Sequence, residues 1–234
     1  MKKKLILIGI VLLLLVVLSA GIFEVTKLRT FQLFGGLTHE VETENKVIAL
    51  TFDDGPTKNV DQLLPLLDKY NAKATFFLIG NDLEKHPEEA VKLVEAGHQI
   101  GNHSFSHKRM VLKSPSFIKE EIEKTDELIR KAGYKGEIDF RPPFGKKLVG
   151  LPYYLHKHDR ETIMWTLEPD TYYSKTDEKV KYVVENIKPG SIILIHPMYD
   201  QTGEVFQVIE EILQKLTKEG YQFVTVNELQ GLSR

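Results

Sequence analysis

Behind Lys2, Lys3 and Lys4 the chain opens on an uncharged run from Leu5 to Phe23, dominated by Leu, Ile and Val, with no polar face interrupting it. As a helix rising about 1.5 Å per residue, its 19 residues nearly match the ~30 Å hydrocarbon core of a bilayer. The lysines predict a cytoplasmic N-terminus and place everything after Phe23 outside. Ser19-Ala20-Gly21 offers a small-residue cleavage site, but the apolar run exceeds the about 7–15 residues of a signal-peptide core. A retained single-pass anchor over residues 1–23 is the expectation; secretion after signal cleavage is the alternative. Residues 24–45, of mixed polarity with Gly35-Gly36 and an acidic stretch from Glu40 to Glu44, read as a tether.

From Val47 onward short apolar runs alternate with amphipathic stretches. The runs predict strands over 47–52, 75–79, 99–103, 138–141, 162–167, 191–196 and 222–226. Between them the spacing predicts helices over 60–70, 87–96, 115–132, 177–187 and 204–218. The last carries Val205, Val208, Ile209, Ile212, Leu213 and Leu216 on one face. Pro87 and Pro115 stand where a first helical turn tolerates proline, and Gly97, Gly133 and Gly220 stand where a left-handed cap is needed. Seven strands alternating with helices predict an α/β domain over 46–234 with a largely parallel sheet, either barrel or open.

Composition narrows the function classes. With Lys2, Lys3 and Lys4 set aside, 28 Lys and Arg face 33 Asp and Glu, a balance of −5 that offers no footprint for nucleic acid. There are no cysteines, which excludes disulfides, thiolate metal sites and cysteine nucleophiles.

The reactive residues gather at the ends of predicted strands, where parallel α/β folds build their sites. Asp53 and Asp54 follow the first strand and are turned outward by Gly55-Pro56; taken alone such a pair is more commonly a solvated turn with an Asp helix cap. In His103-Ser-Phe-Ser-His107 two imidazoles face one way if the segment forms a helical turn. Joined to Asp54 they make a His-His-Asp set, three ligands that leave positions open for water and substrate. Without Asp54 they would read as ordinary surface or core histidines. Arg141, stiffened by Pro142 and Pro143, can grip Asp53 through two parallel hydrogen bonds and keep it ionised; the alternative is a surface arginine beside a Pro-rich turn, and its place at a strand end counts against that. His196 caps the apolar run from Ser191 and reads as a general acid if it shares the rim with a metal, or otherwise as a satisfied core histidine. Asp170, five residues past Trp165, is its candidate partner.

These motifs resemble the polysaccharide deacetylase family, also known as the NodB-homology or chitooligosaccharide deacetylase family and as carbohydrate esterase family 4. The resemblance rests on TFDDGP at 51–56, HSFSH at 103–107, RPPFG at 141–145, WTLEPD at 165–170 and LIH at 194–196. It implies a distorted seven-stranded (β/α) barrel behind one N-terminal hydrophobic helix, and hydrolysis of N-acetyl groups on amino sugars. It further implies Asp53 as base, Arg141 as its holder, His196 as acid paired with Asp170, and zinc, or another divalent ion such as cobalt, on Asp54, His103 and His107. The implied partner is a polysaccharide, peptidoglycan or chitooligosaccharide. The fourth motif departs from the family's Asp-x-x-Asp-Trp: Glu168-Pro169 precede Asp170, Thr171 and Tyr172 follow it with Tyr172 as the substitute aromatic, and Pro197 stands where an acidic residue commonly follows the last histidine. That departure keeps a catalytically silent carbohydrate-binding protein in view. A non-haem iron oxygenase would use the same ligand types, but the adjacent Asp pair and the α/β pattern argue against it.

Overall fold

The computed structural model describes residues 2–232. The apolar leader is one continuous helix, α1 (Lys2–Val25), and its stretch Ile6–Val25 is long and apolar enough to cross a membrane, with a mean hydropathy of 3.1. Then follow β1 (Leu37–Thr38), β2 (Val47–Asp53), α2 (Val60–Lys69), β3 (Thr75–Leu78), α3 (Gly80–Lys85), α4 (Pro87–Glu95), β4 (Gln99–Asn102) and α5 (Pro115–Lys131). The remainder comprises α6 (Gly150–Lys157), β5 (Thr162–Ile163), α7 (Pro169–Tyr172), α8 (Thr176–Asn186), β6 (Ile192–Ile195), α9 (Glu204–Lys218), β7 (Gln222–Val224) and α10 (Val226–Gln230).

The organising strand is β2, buried at all seven positions. One edge pairs in parallel with β6. The other is shared, β7 taking Val47–Ala49 and β3 taking Thr51–Asp53, with β4 beyond β3. Because side chains alternate across a strand, Ile48, Leu50 and Phe52 join the main core beneath α2, α4, α8 and α9, whereas Ala49 belongs to a second cluster with Phe77, Trp165 and Leu194. Thr51 and Asp53 share the parity of Ala49, so their side chains point to that second side. The α9 face expected from its spacing is buried at all six positions.

Every strand pairing is parallel, but the strands fall into a five-stranded and a two-stranded sheet. Single-residue bridges link them: Phe140 touches β4 and β5, and Leu167 touches β6. The strand expected over 138–141 is reduced to that one bridge, and the strand expected over 162–167 to two residues. Prolines 142 and 143 have no N–H to give a ladder, and the buried Arg141 takes the carbonyls of Ile163 and Met164 that a neighbouring strand would use. Four short helices, α3, α6, α7 and α10, lack the length for a helical period to emerge from the sequence.

Residues 24–45 do not hang free. Thr26 and Val41 are buried, β1 pairs with β5, and Glu40 bridges Ser191. Val41 crosses so close to Gly190, at φ +80°, that a Cβ there would lie 1.7 Å from the Val41 carbonyl oxygen.

Candidate metal and catalytic site

Asp53 ends β2 and is buried against a fully buried Arg141. Arg141 Nη1 donates to Asp53 Oδ1 at 2.7 Å and to Thr51 Oγ1 at 2.8 Å. Its Nε and Nη2 go to backbone carbonyls, and its guanidinium lies 4.0 Å from the Phe77 ring centroid. The grip on Asp53 is therefore one hydrogen bond rather than the expected parallel pair, because the other donors hold the 163–164 segment. Burial alone would raise the Asp53 pKa, but the charges of Arg141, His103 and His196 outweigh it and hold the carboxyl below its ordinary range. Asp53 Oδ2, facing His103 Nε2 at 3.6 Å, is the oxygen Arg141 leaves free.

Asp54, His103 and His107 present ligand atoms that all lie within 4.8 Å of one another. Asp54 Oδ1 stands 3.4 Å from His107 Nε2 and 3.9 Å from His103 Nε2, and it is buried with no hydrogen-bond partner. A buried carboxylate oxygen left without a donor is costly unless a cation meets it. His103 Nδ1 lies 2.7 Å from the Arg141 carbonyl, an acceptor that fixes the proton on Nδ1 and turns Nε2 toward Asp54. Burial and the nearby His103 hold His107 below its ordinary pKa, in the neutral form a metal requires. The donor set thus fits a divalent ion.

The histidines do not converge through a helical turn, as their spacing suggested. The segment is a loop with Ser104 at φ 65° and His107 at φ 55°. Asn102 Oδ1 accepts from Ser104 N, and Glu121 of α5 accepts from both N and Oγ of Ser106. Asp54 (φ 72°) and Phe144 (φ 59°) are also left-handed, so four of the seven such non-glycine residues described lie at this site. Backbone strain of this kind persists where surrounding structure over-determines it, commonly at functional sites.

His196 follows β6. Asp170 Oδ2 accepts from its backbone N at 3.1 Å and faces Nδ1 at 3.6 Å, an ion-pair rather than a hydrogen-bond distance, while Lys179 Nζ holds Oδ1 at 2.9 Å. Burial lowers the His196 pKa, but the carboxylates of Asp170, Asp53 and Asp54 raise it to about 9 overall.

Asp53, Asp54, His103, His107 and His196 line one cavity of about 490 Å³, whereas Arg141 and Asp170 stand behind its wall. Its remaining wall contains residues that sequence reasoning did not select: Lys27, Arg29, Lys146 and Glu168. Arg29 Nη2 reaches Glu168 Oε2 at 3.0 Å, Trp165 Nε1 donates to the same oxygen at 2.9 Å, and the guanidinium lies 4.8 Å from the Trp165 ring centroid. Nothing in the 24–45 stretch marked Arg29 for this, since its partner is 139 positions away.

The family profile described as polysaccharide deacetylase matches residues 40–163. The chain belongs to the polysaccharide deacetylase family. A Bacillus cereus protein named peptidoglycan-N-acetylglucosamine deacetylase is 33% identical over 83% of this chain and 93% of its own length. Peptidoglycan-N-acetylmuramic acid deacetylase PdaC of Bacillus subtilis is also 33% identical over 83% of this chain, which spans only 41% of PdaC. Among solved structures, PdaC from Bacillus subtilis superposes at a TM-score of 0.73 with 34% identity, covering 82% of this chain and 93% of that one. A CE4 family pseudoenzyme from Bacillus anthracis superposes at 0.75 with 27% identity, covering 84% and 69%.

Proposed function

We propose that this family member is a metal-dependent N-deacetylase of cell-surface polysaccharide, acting on N-acetylglucosamine of peptidoglycan or a chitin-like oligomer. The observation that carries this is the orphaned Asp54 oxygen facing two imidazoles beside an arginine-held carboxylate. Asp54, His103 and His107 would hold zinc, or cobalt in its place. When bound, such an ion polarises the amide carbonyl and acidifies water. Asp53, ionised, takes the proton of the attacking water on Oδ2. His196, with Nδ1 turned to Asp170, gives a proton from Nε2 to the departing amine as the C–N bond breaks and acetate leaves. The names of the relatives support the substrate class. The bridges at Phe140 and Leu167 support reading the two sheets as one distorted (β/α) barrel. The length and the lysine flank of α1 support a single membrane pass with the catalytic domain outside.

The likeness to a pseudoenzyme makes the site, not the fold, decisive. Acetate release from peptidoglycan by the zinc-loaded chain tests the reading. Chelation should abolish it, and Asp53→Asn should cost about 10²–10⁴-fold in rate. Glycan binding without acetate release by the loaded chain would favour the silent alternative, and full activity in Asp53→Asn would remove Asp53 as base.

A further inference from the structure

The helix that would cross the membrane ends against the catalytic cavity. α1 runs unbroken to Val25, and Thr26 is already buried in the domain. Lys147, two residues past the RPPFG motif, ties this stretch down twice: its backbone N donates to the Thr26 carbonyl at 3.1 Å and its Nζ to that of Leu28 at 2.5 Å. Arg29 then locks onto Glu168 and Trp165 in the cavity wall. Phe23, in the last turns of α1, has Lys27 Nζ 4.3 Å and Lys146 Nζ 5.1 Å from its ring centroid. Both lysines line the same cavity as Asp53 and His103. One side chain's length therefore separates the outer end of the span from the cavity, with no spacer between.

A second observation agrees. Leu28, Phe31, Leu33 and Phe34 are exposed just past the helix end, and Tyr153 packs on Phe34 with centroids 5.5 Å apart. An apolar patch of Leu and Phe continuous with a membrane span suits burial at the headgroup–acyl boundary, with Tyr153 beside it of the kind that settles at headgroup depth. The charge pattern sharpens the assignment. Lys27 and Arg29 have carboxylate partners in Glu24 and Glu168, whereas Lys146 has none among the described residues. An ammonium at the cavity wall that rests on the Phe23 ring and lacks a described carboxylate partner suits a phosphate.

We propose that the cleft works at the bilayer surface on N-acetylated amino sugars still joined through phosphate to a membrane lipid, with Lys146 meeting the phosphate. The inference rests on the deacetylase reading and on α1 spanning the bilayer. The full chain, zinc-loaded in liposomes, is offered a polyprenyl-diphosphate-linked N-acetylglucosamine in the same bilayer and a soluble N-acetylglucosamine oligomer. Confinement to the bilayer raises effective concentration, so at least about a tenfold preference for the lipid-linked sugar is expected. A flexible Gly/Ser spacer of about twenty residues between Val25 and Thr26 should abolish that preference without slowing turnover of the oligomer. Lys146→Ala should raise KM for the lipid-linked sugar.

Trp165, the single tryptophan and part of the cavity wall, supplies a readout independent of activity. A nitroxide on the lipid headgroups should quench its emission, and the spacer should relieve the quenching. Equal turnover of both substrates, with quenching absent or indifferent to the spacer, would overturn the membrane placement alone. Quenching without acetate from any substrate would overturn the deacetylase reading and, with it, the assignment of substrate.

Discussion

Asp170 serves two cations, with Lys179 on Oδ1 and His196 on Oδ2. Burial works against its charge, yet those partners bring its pKa down to about 2, and its own charge helps raise His196 to about 9. His196 therefore stays protonated, and able to donate, across neutral pH. Asp170→Asn should shift the alkaline limb of kcat/KM downward, toward the ordinary histidine range near about 6.5. An unmoved limb would remove Asp170 from the proton-donating pair. The stability consequence has a definite window. The raised His196 pKa contributes stability that is complete below about 6.5 and lost as pH rises through about 9, while the depressed Asp170 pKa contributes stability lost as pH falls toward about 2. Melting curves of metal-free wild type and Asp170→Asn should thus differ most between pH about 4 and about 6.5, draw closer as pH rises through about 9 without meeting, because Lys179 still holds Asp170 there, and converge as pH falls toward about 2. Asp170 was visible in the sequence five residues past Trp165, and the family resemblance implied its pairing with His196, but the residues themselves did not show the contact, because the departure from Asp-x-x-Asp-Trp removes the register that would have marked it.

At the scale of elements, the site depends on loops fastened to strand ends. Asp53, Asp54, His103 and His196 could be read from the sequence because each terminates an apolar run, and a parallel sheet sends such ends to one rim. The path between the two histidines could not be read. Ser104 and His107 adopt left-handed backbone that neither residue type demands, and the grip that keeps them there comes from Glu121, fifteen positions beyond Ser106. Glu121→Ala should leave the fold intact but loosen the loop, lowering affinity for the divalent ion by about tenfold or more, as loss of outer hydrogen bonds around metal ligands does. Calorimetric titration of the metal-free chain measures this directly, and an unchanged affinity would mean that Asn102 and the backbone suffice. The strand expected over 138–141 failed for a related reason: Arg141 consumes backbone acceptors for its own positioning.

For the molecule as a whole, not every buried charge belongs to the cleft. Asp139 is buried away from it, receiving a hydrogen bond from Gln99 Nε2 at 2.9 Å; burial and the charge of Glu161 push its pKa up to about 6. The folded chain therefore keeps this proton at pH values where the unfolded chain has released it, and stability falls as pH rises from about 4 to about 6. Asp139→Asn, which can still accept from Gln99, should melt higher than wild type at pH about 8, by on the order of 1–3 kcal/mol, and match it below pH about 4. Equal melting at both would show that Arg160 compensates the charge. The anchor was legible as an apolar run, but the boundary between tether and domain only as a change of texture at Val47. Thr26, Arg29 and Val41 carry no periodic signal, because each docks singly onto partners more than a hundred positions away. One practical result follows from Arg29 lying on Trp165 and Glu168. The family-matched region begins at residue 40, so a protein trimmed to that boundary keeps every proposed ligand and catalyst but loses a wall of its cleft. Its Michaelis constants would describe a wider pocket than the one the full chain offers its substrate.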